Sequence, residues 1–406
     1  MSQRRSISRD LLWGRIAAKA VYFMLGISGG TFAANIPRIK ENLELTNSSI
    51  GLALLCSSIG GFAVMQFAAP LIRRFGLRSL LSVLAPMFPL TIIGIGLAPN
   101  LVLLALAFAL FGGMASLTGI AINAQAIDIE KAYARSIMTS FHALYSIGGL
   151  VGAGIGGIMA VGHLSVAWSM AIIGAGLVLL GIMMIARLFD PAKYDYQEDH
   201  TVTEQPRRHH RLKWWRQVLM IGGLVAICYI SEGVIGDWSA LYLTSTYTAG
   251  PFVAVLAYVI FNSSMATGRL LGDGVIRRVG QVPALVGGGA LATLGMLIGL
   301  LAPHVVLSLV GFGIVGFGLS VLVPILISIA GNLSGGDRNQ AIARVSTCGT
   351  VGSMVGPASI GFVADHHGLF TGMMIPVVLL MILTAAAATM HRMAARTRYH
   401  LVEAVE

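Results

Sequence analysis

Apolar positions fall in long unbroken runs along this chain, separated by short polar stretches, and that pattern predicts its elements. Twelve runs stand out, near 11–35, 48–70, 78–98, 101–127, 136–160, 164–187, 216–243, 251–275, 281–302, 304–330, 340–364 and 369–391. Each holds about twenty weakly polar residues, enough to cross a hydrocarbon core about 30 Å thick as a helix. In lipid every backbone amide needs an internal partner, so runs of this length predict spanning helices; barrel strands would be half as long and alternating. The expected fold is an all-α polytopic membrane protein.

The runs are also written twice. Leu71-Ile72-Arg73-Arg74-Phe75-Gly76 returns half a chain later as Val275-Ile276-Arg277-Arg278-Val279-Gly280, and the same offset aligns Gly148, Val151, Gly152 and Gly157 with Gly352, Val355, Gly356 and Gly361. Self-similarity over so long a period in an apolar chain is a signature of transporters built from repeated helical halves. The chain therefore divides into an N-terminal tail (1–10), a six-helix bundle (11–187), a linker (188–215), a second six-helix bundle (216–391) and a C-terminal tail (392–406).

Composition agrees: 56% of positions are hydrophobic, 11% are charged and the mean hydropathy is +0.81, beyond what a polar surface in water allows. Of the 27 Lys and Arg residues, only Arg38 and Lys40 fall between odd-numbered spans and the next; the other loops and the tails hold nearly all the rest. By the positive-inside rule both termini are cytoplasmic, in a plasma membrane, the inner membrane if the source is bacterial. The net charge of +10 is spread over short loops beside apolar runs, where topology and anionic headgroups account for it, so no nucleic-acid partner is expected. Arg15 and Lys19 interrupt the first run, which is thus expected to stay as a helix rather than be cleaved as a signal peptide. Cys56, Cys228 and Cys348 each stand alone inside a run and are read as small buried hydrophobes. His200, His209 and His210 lack ligand spacing, so no metal or cofactor is expected. The basic end of the linker runs into Trp214 and Trp215, a pattern suited to a segment lying on headgroups.

Polar residues inside the runs point to chemistry. They occur in span one (Arg15, Lys19, Asn35), two (Gln66), four (Asn123, Gln125), five (His142), seven (Glu232, Asp237), eight (Asn262, Arg269) and eleven (Arg344), and spans three, six, nine and twelve have none. An ionisable group facing acyl chains is costly, so the polar spans are expected to surround a protected or wet interior, with a central cavity shared by the two bundles.

Two six-helix halves, a long linker and the Arg-Arg-x-Gly turns after spans two and eight resemble the major facilitator superfamily over essentially the whole chain. Glu232-Gly-Val-Ile-Gly-Asp237-Trp238-Ser-Ala-Leu-Tyr242-Leu, Gly268-Arg269-Leu-Leu-Gly272-Asp273, Asn123-Ala-Gln125-Ala and Ser140-Phe141-His142 are similar to its fucose-permease-like and rhizopine-transport-like branch. The resemblance implies secondary active transport by alternating access, commonly driven by a proton gradient, of sugars, polyols or related small metabolites. The chain departs from the family's usual loop after span two, with Ala69 for a glycine and Arg73 for an acid. A glycine pattern associated with proton antiporters has Ala153 at its proline position, and span four lacks the antiporters' arginine, which weakens the reading as an exporter of amphiphilic compounds.

Glu232 is the expected proton carrier. It lies near the middle of span seven, where a low-dielectric cavity disfavours the ionised carboxyl and lets it load and release one proton per cycle; permanent pairing with an Arg is the alternative. Asp237, about 140° round the helix and about 7.5 Å further out, is ranked as an outer-gate or hydrogen-bonding group, and His142 as a relay or a packing residue. Tyr22, Gln66, Asn123, Tyr145, Asn262 and Trp238 are candidate substrate contacts, Trp238 with Tyr242 either closing over a substrate or forming an interfacial belt. Arg73, Arg74, Arg269, Asp273 and Arg277 are candidate gating residues, the last three on one helical face. Gly233 and Gly236 permit a bend that would let the outer end of span seven move. Arg15 and Lys19 either snorkel to headgroups or, facing inward, favour an anionic cargo. The expected partners are a small-molecule substrate and the bilayer, the expected state is a monomer, and no enzyme is expected because no nucleophile–base pair, metal cluster or phosphate loop is present. A membrane enzyme or sensor without transport is the weaker alternative.

Overall fold

The computed structural model describes residues 9–133, 137–190, 211–333 and 338–403. Among them twelve helices are long and apolar enough to cross a membrane. The chain divides into two compact units, Met1–Thr201 with Gly250–Val255, and Val202–Ala249 with Leu256–Glu406.

In the first half of the chain the helices are α1 (Arg9–Asn42), α2 (Asn47–Phe75), α3 (Leu77–Met87), α4 (Leu90–Gly96), α5 (Leu101–Tyr133), α6 (Met138–Val161) and α7 (Val166–Ile185). The third span is broken between α3 and α4 at Pro89, which has no N–H to donate and whose ring crowds the preceding turn. The second half holds α8 (Arg211–Tyr247), α9 (Pro251–Val279), α10 (Gln281–Leu301), α11 (Val305–Leu319), α12 (Leu322–Gly331), α13 (Arg338–His367) and α14 (Leu369–Glu403). Here the tenth span is broken at Ser320 and Val321, one turn before Pro324, which cannot bond the Ser320 carbonyl.

Small residues set the contacts that matter for α1. A Cβ added at Gly26 or Gly30 would run into the Tyr145 or Gly149 carbonyl oxygen, and one at Gly148 or Gly152 into those of Phe23 or Ile27. Backbones this close leave no room for a side chain, so α1 and α6 form a tight pair. Phe32 of α1 packs edge-on against Phe108 (centroids 4.9 Å apart) and stacks on Phe111 (5.0 Å), both of α5.

The repeated Arg-Arg-x-Gly turns share a backbone conformation. Gly76 ends α2 with φ 76° and Gly280 ends α9 with φ 90°, each N–H bonding the carbonyl four residues back. Only glycine adopts this region without strain, which explains why the repeat keeps it. Gly76→Ala and Gly280→Ala are each expected to cost about 1 kcal/mol, read as a lowered thermal unfolding midpoint in detergent; an unchanged midpoint in both would contradict the account.

Several expectations are corrected. Arg38 and Lys40 lie in the last turns of α1, not on a loop, and Arg38 bonds Asn35 Oδ1 and the Leu164 carbonyl. The segment expected to be linker from 188 begins with buried Leu188 and Phe189 and with Asp190, which pairs with Arg78 at 3.0 Å. Trp214 is buried within α8, its indole shared with Trp215 and the Arg344 guanidinium, rather than lying on headgroups, because α8 already begins at Arg211. His200, His209 and His210 lie outside the described residues. Cys228 is buried, while Cys56 and Cys348 are half-buried, and all three are free thiols.

Candidate functional site

Two of the residues expected to touch substrate, Tyr22 and Asn123, meet His142 in the first unit. Tyr22 is buried on α1 and its hydroxyl donates to Asn123 Oδ1 of α5 at 2.5 Å. Its ring stacks on Phe141 (5.5 Å, 28°) and meets His142 edge-on (5.3 Å, 68°), both at the start of α6. The small residues that draw α1 and α6 together are what bring these rings within reach, and Phe141 fixes the orientation of Tyr22 from beneath. Asn123 is half-buried and His142 exposed, so the cluster is anchored on one side and open on the other. Tyr145, one turn beyond His142, is 45% exposed. Gln66 is exposed on α2, and its amide donates to the Phe62 carbonyl of its own helix at 3.5 Å.

In the second unit Glu232 sits mid-way along α8, half-buried, with no hydrogen-bond partner among the described residues. Arg269 of α9 is the cation that acts on it. Glu232 and Arg269 are not in ion-pair contact. Asn262, one turn or two before Arg269 on α9, is half-buried and donates to the Tyr258 carbonyl at 2.9 Å. Asp237 is half-buried and has no hydrogen-bond or ion-pair partner among the described residues.

Trp238 is completely buried, its indole N–H has no hydrogen-bond partner among the described residues, and its ring is part of the core of this unit. Tyr242 is also buried, and its hydroxyl donates to the Leu300 carbonyl at 2.8 Å, while Tyr247 does the same to Ala302 at 2.8 Å. These two bonds tie the C-terminal end of α8 to the end of α10, and neither Gly233 nor Gly236 has a neighbour within 4 Å of an added Cβ. Tyr242→Phe removes one buried hydrogen bond and is expected to cost about 1 kcal/mol, lowering the unfolding midpoint without changing solute binding.

Among the gating candidates, Arg73, Arg74, Arg269 and Arg277 are exposed, with Arg74 over the Phe75 ring at 5.5 Å, and the Asp273 side chain lies outside the described residues. Sequence reasoning missed the cation–ring contacts of Arg15 over Tyr133 at 5.2 Å, Arg187 over Trp13 at 4.4 Å and Arg344 over Trp215 at 3.7 Å. Their partners are far apart in the chain, and nothing local in the sequence links them. No cluster of His, Cys, Asp and Glu suited to a metal occurs among the described residues.

The comparisons bear on the family and the fold. The family model described as Major Facilitator Superfamily matches residues 20–332 and 226–400. An uncharacterized MFS-type transporter of Yersinia pestis is 31% identical over 379 residues, covering 93% of this chain and 96% of that protein. The membrane protein MosC of Rhizobium meliloti is 30% identical over 352 residues, covering 86% and 83%. The crystal structure of a point mutant of the nucleoside transporter NupG superposes with a TM-score of 0.76 at 13% identity, covering 93% of this chain and 99% of that one. A bacterial homolog of the human lysosomal transporter Spinster gives 0.76 at 14% identity, covering 94% and 97%. At such identities the two structures speak for the fold alone. With a family model and relatives of this coverage, the chain belongs to the major facilitator superfamily, and it is a multi-pass membrane transporter of small molecules rather than an enzyme.

Proposed function

We propose that this transporter is a proton-coupled symporter of a small, polar, hydroxylated solute, sugar-like or polyol-like, working by alternating access in a plasma membrane with both termini cytoplasmic. The observation that carries the reading is Glu232: an acidic side chain midway along a spanning helix, half-buried, acted on by Arg269 and without a hydrogen bond among the described residues. A carboxyl kept in that setting has one evident use, to take up and give back a proton. The cluster of Tyr22, Asn123 and His142 supports a hydroxylated cargo, since a phenol, an amide and an imidazole supply both donors and acceptors. Resemblance to the fucose-permease-like and rhizopine-transport-like branch points the same way. The proton gradient is the driving force, and no cofactor takes part.

The test is internal pH in proteoliposomes loaded with a pH-sensitive dye and challenged with sugars, polyols, inositol amines and lipophilic cations. Solute-triggered acidification in vesicles oriented for import supports symport. A response to lipophilic cations alone would replace it with proton-driven export, and flux without proton movement would replace it with facilitated diffusion.

A further inference from the structure

We infer that the first unit recognises an anionic group, a carboxylate or a phosphate, at Arg15, Lys19 and Tyr133. The inference rests on the transporter reading and narrows its cargo to hydroxylated acids.

Arg15, Lys19 and Tyr22 are spaced by four and three, so they share one face of α1 and span about 10 Å along its axis. That face runs beside α5: the Arg15 guanidinium covers the Tyr133 ring at 5.2 Å, and two turns on the Tyr22 hydroxyl reaches Asn123. The polar strip thus leads from one end of α1 into the cluster already described.

Its charges are not balanced by an ion pair among the described residues. Neither Arg15 nor Lys19 is in ion-pair contact with a carboxylate among the described residues, and the charged group acting on Lys19 is Arg15, a like charge. Like charges four apart on a helix repel, and the repulsion is tolerated where an anion joins them. The Arg15 Nε and the Tyr133 hydroxyl are both buried without a hydrogen-bond partner among the described residues. Buried donors are normally satisfied, so two orphans on facing side chains mark a place for an acceptor. Snorkelling does not account for them, because a side chain reaching for headgroups exposes its donors, whereas Arg15 turns its guanidinium onto Tyr133 and encloses Nε.

The donor set suits an oxyanion. A guanidinium offers paired parallel N–H groups, an ammonium adds a point charge, and a phenol adds a neutral donor; together they match a carboxylate or a phosphate and offer a neutral hydroxyl little. The same chemistry would hold the headgroup of an anionic lipid, and the two sources are separable.

Binding is measured on the full chain in nanodiscs by intrinsic tryptophan fluorescence and thermal shift, which needs neither flux nor protons and stands apart from the coupling test. The probes are matched pairs, gluconate against sorbitol and glucose 6-phosphate against glucose. In phosphatidylcholine discs the acid of a pair is expected to bind at least about tenfold tighter, with the advantage lost in Arg15→Gln and in Lys19→Gln. Lys19→Gln guards against misfolding of the first variant, and Arg15→Lys is expected to keep part of the preference. Stabilisation by phosphatidylglycerol over phosphatidylcholine that vanishes in both glutamine variants, with no preference within the solute pairs, would assign the anion to lipid and still uphold the site. Equal behaviour of wild type and both variants towards acids and anionic lipid overturns it.

Discussion

Glu232→Gln is expected to abolish solute-driven proton movement, lowering its initial rate by about two orders of magnitude or more, while leaving solute exchange across the membrane largely intact. Glutamine keeps the shape of the side chain and one carbonyl oxygen but has no proton to exchange, and a positioned proton-transfer group typically contributes a hundredfold or more. The expected split follows from the surroundings. Glu232 makes no hydrogen bond among the described residues, so its replacement breaks no bond that holds α8 in place, and the nearby cation is exposed Arg269, which water can solvate. Counterflow of labelled solute into preloaded vesicles reads exchange separately from dye-reported proton entry. Wild-type proton entry in the variant would remove Glu232 from the coupling role. Loss of exchange together with proton entry would instead make Glu232 a solute ligand or a structural group.

Gly26→Ala and Gly30→Ala are expected to destabilise the protein by several kcal/mol each and to lose most of the folded fraction, whereas Gly29→Ala is expected to be slightly stabilising. The three glycines sit within one turn or so of the same helix, so helix propensity alone would favour alanine at all of them by about 1 kcal/mol. Packing reverses this at two. An added Cβ at Gly26 or Gly30 overlaps a backbone carbonyl of α6, and backbone cannot move aside as a side chain can, while at Gly29 nothing lies within 4 Å. Overpacking costs are typically 1–3 kcal/mol and rise when the obstacle is rigid, which is why the larger figure applies here. Size-exclusion profiles and unfolding midpoints of the three variants in one detergent decide the matter. Equal midpoints for all three would show that α1 and α6 are further apart than described. The Tyr22 cluster is expected to fail with the two damaging variants, because its three elements are held together by that same contact.

These predictions draw on different depths of legibility. Span number, the repeat and the two glycine turns could be read directly: about twenty apolar residues in a row have one stable form in lipid, and a helix end followed by Arg-Arg-x-Gly needs a positive φ that only glycine adopts freely. The breaks of the third and tenth spans were written in Pro89 and Pro324, yet a proline in a membrane helix is as often tolerated as disruptive, and the neighbours decide. The exposed fraction also failed to sort the helices by their polar content: the second span, which carries Gln66, is less buried than the apolar third. Accessible surface counts water and lipid alike, so burial cannot say which of the two a face meets.

The site was legible as residue types and illegible as partners. Glu232 stood out because an acid in mid-span is rare, and that is a property of one position read along one helix. The pairing of Tyr22 with Asn123, of Arg15 with Tyr133 and of Tyr242 with Leu300 joins residues far apart in the chain, and each depends on how two helices rotate about their axes. Rotation is set by small residues and ring contacts distributed over many turns, so a single window of sequence does not contain it. The sequence by itself therefore determined the solvent, the number of crossings, the repeat and the acid to test. The tertiary structure alone decided which side chains meet, that Trp238 is core, that Tyr242 ties down the C-terminal end of its helix, and that Arg15 covers the Tyr133 ring with no ion-pair partner among the described residues, because contacts across helices are made by packing and leave no periodic trace along the chain.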